Sequence, residues 1–318
     1  MKGKNSWLLV GILVAITVIG ILAYSPLVNS PAQAAGTAKL SKELNILNWS
    51  EYLPQSIIEK FEKEYKVKVN YDTYSSNEEL FAKLQAGASN YDLIVPSDYM
   101  VDIMINQKLL APLDKANIPN IKNIDPKRLG FYFDKGNKYT VPYMWGTVGI
   151  AYNSKKITTP PKSWSDLWNP KYKGKVVMLN DSREVIGAAL QLLGYSKNET
   201  DPKKLAAAKA KIKELMPNVK AFDSDSPKTL LLNGEVWIGQ TWSGEAAIAY
   251  QQNPAIKYVL PREGGGAFQD NMAIPKGAPH KYTAEVFINF LLRPEISLEL
   301  SKAFPYGNPN KGALAIMP

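Results

Sequence analysis

Six stretches of this sequence carry aromatic, hydroxyl and acidic residues next to the ends of predicted strands or helices. Three of the six combine an aromatic residue, a small hydroxyl residue and a carboxylate, and the others carry part of that set. The stretches are 48–52 (NWSEY), 96–99 (PSDY), 180–184 (NDSRE), 241–245 (TWSGE), 268–270 (FQD) and Tyr306. For any one residue, ring packing or helix N-capping by Ser or Asp explains the pattern equally well. The repetition in six places favours one shared binding cleft.

The residue types in these stretches suit an amine ligand, a small organic polycation. Buried ammonium groups need carboxylate or hydroxyl acceptors because an unpaired buried charge is very costly. Methylene chains pack on flat apolar walls, and aromatic faces attract a cation by about 0.5–2 kcal/mol per contact. Thiamine, an amino acid or a sugar stay open alternatives. A neutral sugar does not need three acids, and an amino acid usually calls for an arginine, of which only Arg183 lies near these stretches.

Catalysis has little support, and we expect a binding protein rather than an enzyme. His280 is the only histidine, follows Pro279 and has no nucleophile motif near it. The sequence contains no G-x-S-x-G, no phosphate-binding glycine loop and no H-E-x-x-H. Asp181 and Glu184 are spaced for a shared cation, although a carboxylate pair also allows glycoside hydrolysis. Because the chain has no cysteine, disulfides and thiolate metal sites are excluded, and we expect no metal and no cofactor.

The N-terminus has the layout of a secretory signal peptide, which we place at residues 1–34. Lys2 and Lys4 precede an apolar run at 7–24, and 32–34 (AQA) gives a small-x-small cleavage pattern. The apolar run is just long enough to span a membrane, so an uncleaved anchor is the alternative. In both cases the rest of the chain lies outside the cytoplasm.

The positive net charge does not indicate an anionic partner. The formal charge of +9 falls to +7 when Lys2 and Lys4 are subtracted (9 − 2). The other lysines are spread along Lys/Glu-mixed stretches such as 59–68 and 201–213, which is typical of solvated helix faces. No run of five or more like charges occurs, so we expect no nucleic-acid partner.

Alternating strand and helix patterns run from residue 44 almost to the C-terminus. A first strand–helix series is separated from a second by an extended apolar segment at 139–152. This order predicts an α/β fold of two lobes, each a mostly parallel sheet flanked by helices and joined by crossover strands. Ligands of such sheets bind beyond the carboxyl ends of the strands. We predict strands at 44–49, 67–71, 92–95, 175–179, 219–222, 236–241 and 272–275, and helices at 54–65, 77–84, 183–193, 202–215, 227–232, 244–251, 281–292 and 294–303.

The same stretches resemble the periplasmic spermidine/putrescine-binding proteins of ABC transporters. The resemblance runs almost continuously from Leu44 to the C-terminus, and its motifs are specific together but weak singly. They are 47–52 (LNWSEY), 91–97 (YDLIVPS), 141–146 (VPYMWG), 182–185 (SREV), 289–294 (NFLLRP) and 308–310 (NPN). The resemblance implies the periplasmic-binding-protein fold, whose lobes close on a polyamine by hinge bending. We place lobe one at 43–147 plus 270–300 and lobe two at 148–269 plus 301–318.

The resemblance also implies a role for each candidate binding residue. The aromatic residues are walls, the hydroxyl residues lie near one ligand end, and the acids hold the amines. Asp181 and Glu184 correspond to the pair that holds a terminal ammonium, and Asp270 corresponds to the carboxylate that meets the internal or second amine. The candidates are Trp49, Ser50, Tyr52, Ser97, Tyr99, Asp181, Glu184, Trp242, Glu245, Phe268, Asp270 and Tyr306.

Two departures from the family pattern leave the choice between spermidine and putrescine open. Phe268 stands where spermidine-preferring relatives have a tryptophan, and Glu245 falls where the putrescine type places an acid. Family members also continue past Pro318 into a helical segment that supplies a polar ligand contact, so the chain is either truncated or divergent there.

The resemblance further implies a monomeric periplasmic protein that delivers its polyamine to an ABC-transporter permease. The alternative function is a membrane-anchored polyamine sensor or scaffold without a transport role.

Overall fold

A computed structural model describes residues 39–87 and 90–318 of the chain. The predicted signal peptide at 1–34 lies outside the described residues. Within the described part of the chain, no helix is both long enough and apolar enough to cross a membrane.

The first strand–helix series has the predicted order up to its third strand and is followed by one further helix. It consists of β1 (Glu43–Trp49), α1 (Gln55–Tyr65), β2 (Lys68–Tyr74), α2 (Asn77–Gln85), β3 (Leu93–Ile94) and α3 (Asp98–Asn106). Short 3-10 helices at Lys115–Asn117, Pro119–Asn123 and Pro126–Arg128 lead to the long strand β4 (Thr140–Asn153). The segment predicted to be extended is therefore a single strand of 14 residues.

The second series begins with 3-10 helices at Trp164–Trp168 and Pro170–Tyr172. It continues with β5 (Val176–Met178), α4 (Ser182–Leu192), α5 (Pro202–Leu215), β6 (Val219–Phe222), α6 (Pro227–Leu232), β7 (Ile238–Trp242), α7 (Ser243–Gln252) and β8 (Ile256–Val259). The chain then returns through β9 (Gly266–Ala273) to α8 (Lys281–Leu291), α9 (Pro294–Ala303) and α10 (Lys311–Ala315).

The strands form one sheet in the order β2-β1-β3-β9-β4-β7-β5-β6, with β8 paired to β4. Strand β1 is parallel to β2 and β3, and β5 is parallel to β6 and β7. Between these parallel groups, β4 and β9 run antiparallel to each other from Thr140↔Ala273 to Val148↔Gly266. The predicted α/β fold of two lobes joined by crossover strands is confirmed.

Local sequence explains where the helices begin and end. Ile57, Ile58 and Phe61 give α1 a buried face, and Lys66 ends that helix in the left-handed region with φ of 58°. The Asp181 side chain accepts a hydrogen bond from the backbone N–H of Glu184 and so caps the start of α4. These signals are local, which is why the sequence predicted both helices closely.

Each lobe has its own apolar core. In lobe one, the Phe61 ring meets the Phe287 ring edge-on at 4.7 Å between centroids, and Phe290 packs beside both. In lobe two, Trp164 is buried to 1% exposure, and its indole N–H donates to the Gly264 carbonyl at 3.0 Å. Burial of such large rings removes apolar surface from water and positions the strands beneath the helices.

The sequence prediction was wrong about the start of the return strand. Strand β9 begins at Gly266 rather than at 272, so Phe268 and Asp270 lie within the strand and not in a loop before it. Residues 266–271 (GAFQDN) mix glycine, apolar and polar residues without a clear strand alternation, and their extended form depends on the pairing with β4, which a local pattern does not contain. Helix α3, strand β8 and helix α10 were also not predicted.

The C-terminal residues pack on helices that follow β9. The Asn308 side-chain amide donates to the Ser297 carbonyl at 3.1 Å, and the Asn310 side-chain amide donates to the Leu292 carbonyl at 2.9 Å. Asn310 also caps α10 by accepting from the Ala313 N–H. These buried amides fix the final turns of the described chain against α8 and α9.

Candidate functional site: a cleft between the two lobes

A cleft lies where the strand-end loops meet β9. Residues that follow β1 and β3 line one side, and residues that follow β5, β6 and β7 line the other. The lining residues are Trp49, Ser50, Glu51, Tyr52, Asn77, Ser97, Asp181, Ser224, Asp225, Trp242, Glu245, Phe268, Asp270 and Tyr306.

Asp270 on β9 is the most deeply buried carboxylate of the cleft, with 3% exposure. The Tyr52 hydroxyl and the Ser97 hydroxyl each donate to it at 2.6 Å, and the Asn77 amide donates to Ser97 at 3.0 Å. Burial raises the pKa of Asp270 to about 7, although the two hydroxyl hydrogen bonds oppose that rise. Nothing with a positive charge in the described residues pairs with this carboxylate, so an organic cation would satisfy it.

Both members of the predicted acidic pair, Asp181 and Glu184, line a cavity beside the main cleft, but only Asp181 also lines the main cleft. Asp181 lines the main cleft, and burial together with the nearby Glu184 charge raises its pKa to about 6. Glu184 lines only the neighbouring cavity and forms an ion pair with Lys197 at 2.5 Å. The chain itself therefore supplies the cation for Glu184.

Glu245 also has a cation from the chain. The Lys228 ammonium on α6 lies 2.9 and 3.1 Å from the two carboxylate oxygens of Glu245 on α7, and it also contacts Glu51 in the loop after β1. Burial raises the pKa of Glu245 to about 7, and Lys228 opposes that rise. Burial alone would lower the pKa of Lys228, but hydrogen bonds to Glu51 and Glu245 raise it.

Two side-chain contacts connect residues on the two sides of the cleft. Lys228 joins Glu51, and the Ser50 hydroxyl donates to Asp225 in the loop after β6. Because Ser50 and Glu51 lie in the loop after β1 while Asp225 and Lys228 lie beyond β6, these contacts connect the two lobes across the cleft.

Aromatic rings form the walls, and hydrogen bonds fix two of them. The indole N–H of Trp49 donates to the Val95 carbonyl at 3.0 Å, and that of Trp242 donates to the Ser224 carbonyl at 2.9 Å. Phe268 meets Trp242 edge-on at 5.3 Å, and Tyr306 meets Tyr52 edge-on at 5.3 Å. Rings held in this way are preorganised and lose little entropy when a ligand packs on them.

Two glycines make room for the walls. A Cβ on Gly146 would lie 2.7 Å from Cζ of Phe268, and a Cβ on Gly244 would overlap the Tyr306 ring. These two glycines contribute to the site because they lack a side chain and so leave space for the rings, and not because of an unusual backbone conformation.

The structure brings together ten of the twelve predicted binding residues in the main cleft. Tyr99 and Glu184 lie in the neighbouring cavity with Arg183 and Lys197, and the Tyr99 hydroxyl donates to Glu78 at 3.2 Å. Ser97, Asp181, Trp242 and Phe268 line both cavities.

Sequence reasoning missed four residues of the lining and one lysine beside it. They are Glu51, Asn77, Ser224, Asp225 and Lys228. Ser224 and Asp225 lie in the loop that follows strand β6, two and three residues after its end, so the strand-end rule applied to that strand would have found them. Lys228 gave no signal, because one lysine near the start of an amphipathic helix resembles any solvated lysine.

Within residues 39–87 and 90–318, no group of three or more His, Cys, Asp or Glu side chains could hold a metal ion. The cleft presents carboxylates, hydroxyls and aromatic faces, a combination that suits an organic cation.

Comparison with known proteins agrees with this fold and cleft. Residues 56–317 match the family described as bacterial extracellular solute-binding protein. The chain is 43% identical over 288 residues to the spermidine/putrescine-binding periplasmic protein of Salmonella typhimurium, covering 89% of this chain and 82% of that protein. It is 36% identical to the putrescine-binding periplasmic protein SpuD of Pseudomonas aeruginosa, covering 96% of this chain and 86% of that protein.

A solved structure from Listeria monocytogenes, provisionally named a spermidine/putrescine ABC transporter, has a similar fold. It superimposes with a TM-score of 0.85 at 40% identity and covers 87% of this chain and 86% of the other. The family match, these identities and the shared two-lobed fold lead to one conclusion. The chain belongs to the bacterial extracellular solute-binding proteins.

Proposed function

We propose that this protein binds a polyamine, spermidine or putrescine, in the interlobe cleft and delivers it to the permease of an ABC transporter. The observation that carries the proposal is the buried Asp270 carboxylate, which has hydroxyl donors but no cation partner among the described residues. A ligand ammonium would supply that missing charge. The names of the relatives support the same ligand class.

The proposed binding mode places ammonium groups at Asp270 and Asp181 and methylenes between the rings. Trp49, Trp242 and Tyr306 offer flat faces, and Tyr52 and Ser97 orient the Asp270 carboxylate. Hydroxyl donors on a carboxylate leave its other lone pairs available for an ammonium group. Glu184 and Tyr99 would act from the neighbouring cavity, through Asp181 and Arg183, rather than by direct contact.

Lobe closure around the ligand is part of the proposal. The predicted limits, 43–147 plus 270–300 and 148–269 plus 301–318, serve as working limits. The contacts of Asn308 and Asn310 with Ser297 and Leu292 support attaching the last residues to the first lobe instead. Strands β4 and β9 cross between the lobes and are the proposed hinge.

The test is calorimetry of the purified protein with putrescine, cadaverine, spermidine and spermine. Saturable binding of at least one polyamine, with no binding of glucose or glutamate, is expected. Absence of binding by all four polyamines would contradict the proposal.

The proposed location is the periplasm, and the proposed working unit is a monomer without catalytic activity. N-terminal sequencing of the exported protein distinguishes a cleaved signal peptide from an anchor. The membrane-anchored sensor would keep the same cleft, but the relatives are named for binding in the periplasm, which favours transport.

A further inference from the structure

Lys228 places a cation of the chain itself at one end of the cleft. Its side chain is 9% exposed, and its ammonium contacts both carboxylate oxygens of Glu245, the Glu51 carboxylate and, at 3.4 Å, the Ser226 hydroxyl. An ammonium group has three N–H donors, so these contacts use all of them. We call the group of Glu51, Lys228 and Glu245 the lysine corner.

The lysine corner is distinct from Asp270 and Asp181, neither of which has an ion-pair partner among the described residues. Tyr306 lies near both the corner and Asp270, because its ring meets the ring of Tyr52, which donates to Asp270, and a Cβ on Gly244, the neighbour of Glu245, would overlap it. The corner has two carboxylates and one ammonium, so with every group ionised its formal charge is −1 (−2 + 1). Without Lys228 it would be −2 and would resemble a binding position for a ligand ammonium.

We propose that Lys228 is a specificity-determining residue that occupies the lysine corner and disfavours a third ligand ammonium there, shifting selectivity from triamines toward diamines. The inference rests on the proposed polyamine function. A diamine needs two counter-ions, and Asp270 and Asp181 supply them. A third ammonium must either lie against the Lys228 charge in a desolvated site or displace Lys228 from both glutamates, and each outcome weakens binding.

The contact of Lys228 with Glu51 has a second effect, because it also joins the lobes. Loss of a contact between the lobes would weaken the binding of every ligand by the same factor. Loss of a competing cation would instead change the ratio of spermidine affinity to putrescine affinity. The ratio of spermidine to putrescine affinity therefore separates the two effects.

The experiment measures both affinities by calorimetry at about pH 8, where carboxylates with raised pKa values are ionised. The Lys228→Met variant changes the formal charge of the lysine corner from −1 to −2. The ratio of spermidine to putrescine affinity is then expected to increase about tenfold. Lys209→Met, an identical substitution at an exposed position of α5, is the matched control and should leave the ratio unchanged. Circular dichroism and thermal unfolding verify that each variant folds.

Two further variants keep the test decisive. The double variant Lys228→Met/Glu245→Gln restores the formal corner charge to −1 and should return the ratio to within about twofold of the wild type. Glu245→Gln alone retains the lysine, sets the corner charge to zero and should lower the ratio, so it tests the proposal even if Lys228→Met does not fold.

If Lys228→Met leaves the spermidine/putrescine affinity ratio unchanged, or weakens the binding of both ligands by the same factor, the role of Lys228 in specificity is overturned. A higher ratio in Glu245→Gln would overturn it as well. Wild-type protein that binds neither polyamine would instead overturn the proposed function and leave the specificity role without a basis.

Discussion

At the scale of single residues, Asp270 shows how a buried acid is prepared for a cation. Two hydroxyls, from Tyr52 and Ser97, donate to its carboxylate, and neither brings a positive charge. The carboxylate is desolvated and only partly compensated, which is why its pKa rises to about 7. A polyamine ammonium supplies the counter-ion that the hydroxyls do not.

The first prediction replaces that charge. Asp270→Asn keeps the shape of the side chain but removes the counter-ion, so polyamine affinity should fall by about 2–5 kcal/mol as measured by calorimetry. Asp72→Asn, an exposed carboxylate that accepts from the Tyr91 hydroxyl, is the matched control and should bind as the wild type does. Wild-type affinity of the Asp270→Asn variant would remove Asp270 from the site.

The second prediction concerns pH. Burial raises the pKa values of Asp270 and Asp181 to about 7 and about 6, and an ammonium group beside them would favour the ionised forms. Protons therefore compete with the ligand, and affinity should fall as pH drops from 8 to 6, by up to about tenfold per pH unit for one titrating group.

Binding near neutral pH should accordingly release protons. Calorimetry in two buffers with different ionisation enthalpies measures that release, and Asp270→Asn should reduce it. A constant affinity between pH 8 and pH 6 would be inconsistent with these raised pKa values.

At the scale of elements, the sequence predicted most of the fold because most helices and strands are locally specified. Helix α5 and strand β6 were predicted with their observed limits. The predicted start of strand β9 was six residues too late, because residues 266–271 (GAFQDN) have no clear strand alternation and are extended through the long-range pairing with β4. Helix α3 begins directly after the predicted site residue Ser97, and this segment was predicted as part of a strand-end loop rather than as a helix.

The candidate site was predictable to the same extent and for the same reason. Residues at strand ends, such as Trp49, Asp181 and Trp242, converge because parallel strands share one edge. Which acids already have a cation was not predictable, because Lys197 and Lys228 reach Glu184 and Glu245 from other segments of the chain. Partner identity depends on tertiary contacts, and spacing does not contain it.

The third prediction tests how α7 accommodates the Tyr306 wall. Gly244→Ala places a methyl group into the Tyr306 ring, which must move, so polyamine affinity should fall about tenfold while the fold is retained. Tyr306→Ala should itself weaken binding, and adding Gly244→Ala to it should cost nothing further. Independent, additive losses in the double variant would show that the glycine acts elsewhere.

At the scale of the whole molecule, lobe closure and protonation should be coupled. The structure has the lobes joined by Ser50–Asp225 and Glu51–Lys228, with Asp270 buried. Closure desolvates Asp270 and Asp181 and raises their pKa values, whereas water reaches both acids when the lobes separate. Between pH 4 and pH 7 the closed form therefore binds more protons than an open form would.

The fourth prediction follows from that difference. Because lowering the pH favours the form that binds more protons, the ligand-free protein should become more compact as pH falls from 8 to 5.5, as seen by small-angle X-ray scattering. Saturating polyamine supplies the counter-ions instead and should hold the protein compact at both pH values. Asp270→Asn, which is neutral throughout, should lose most of the pH response. A ligand-free radius of gyration that is constant with pH, together with compaction by polyamine, would show that protonation of these two acids does not contribute to lobe closure.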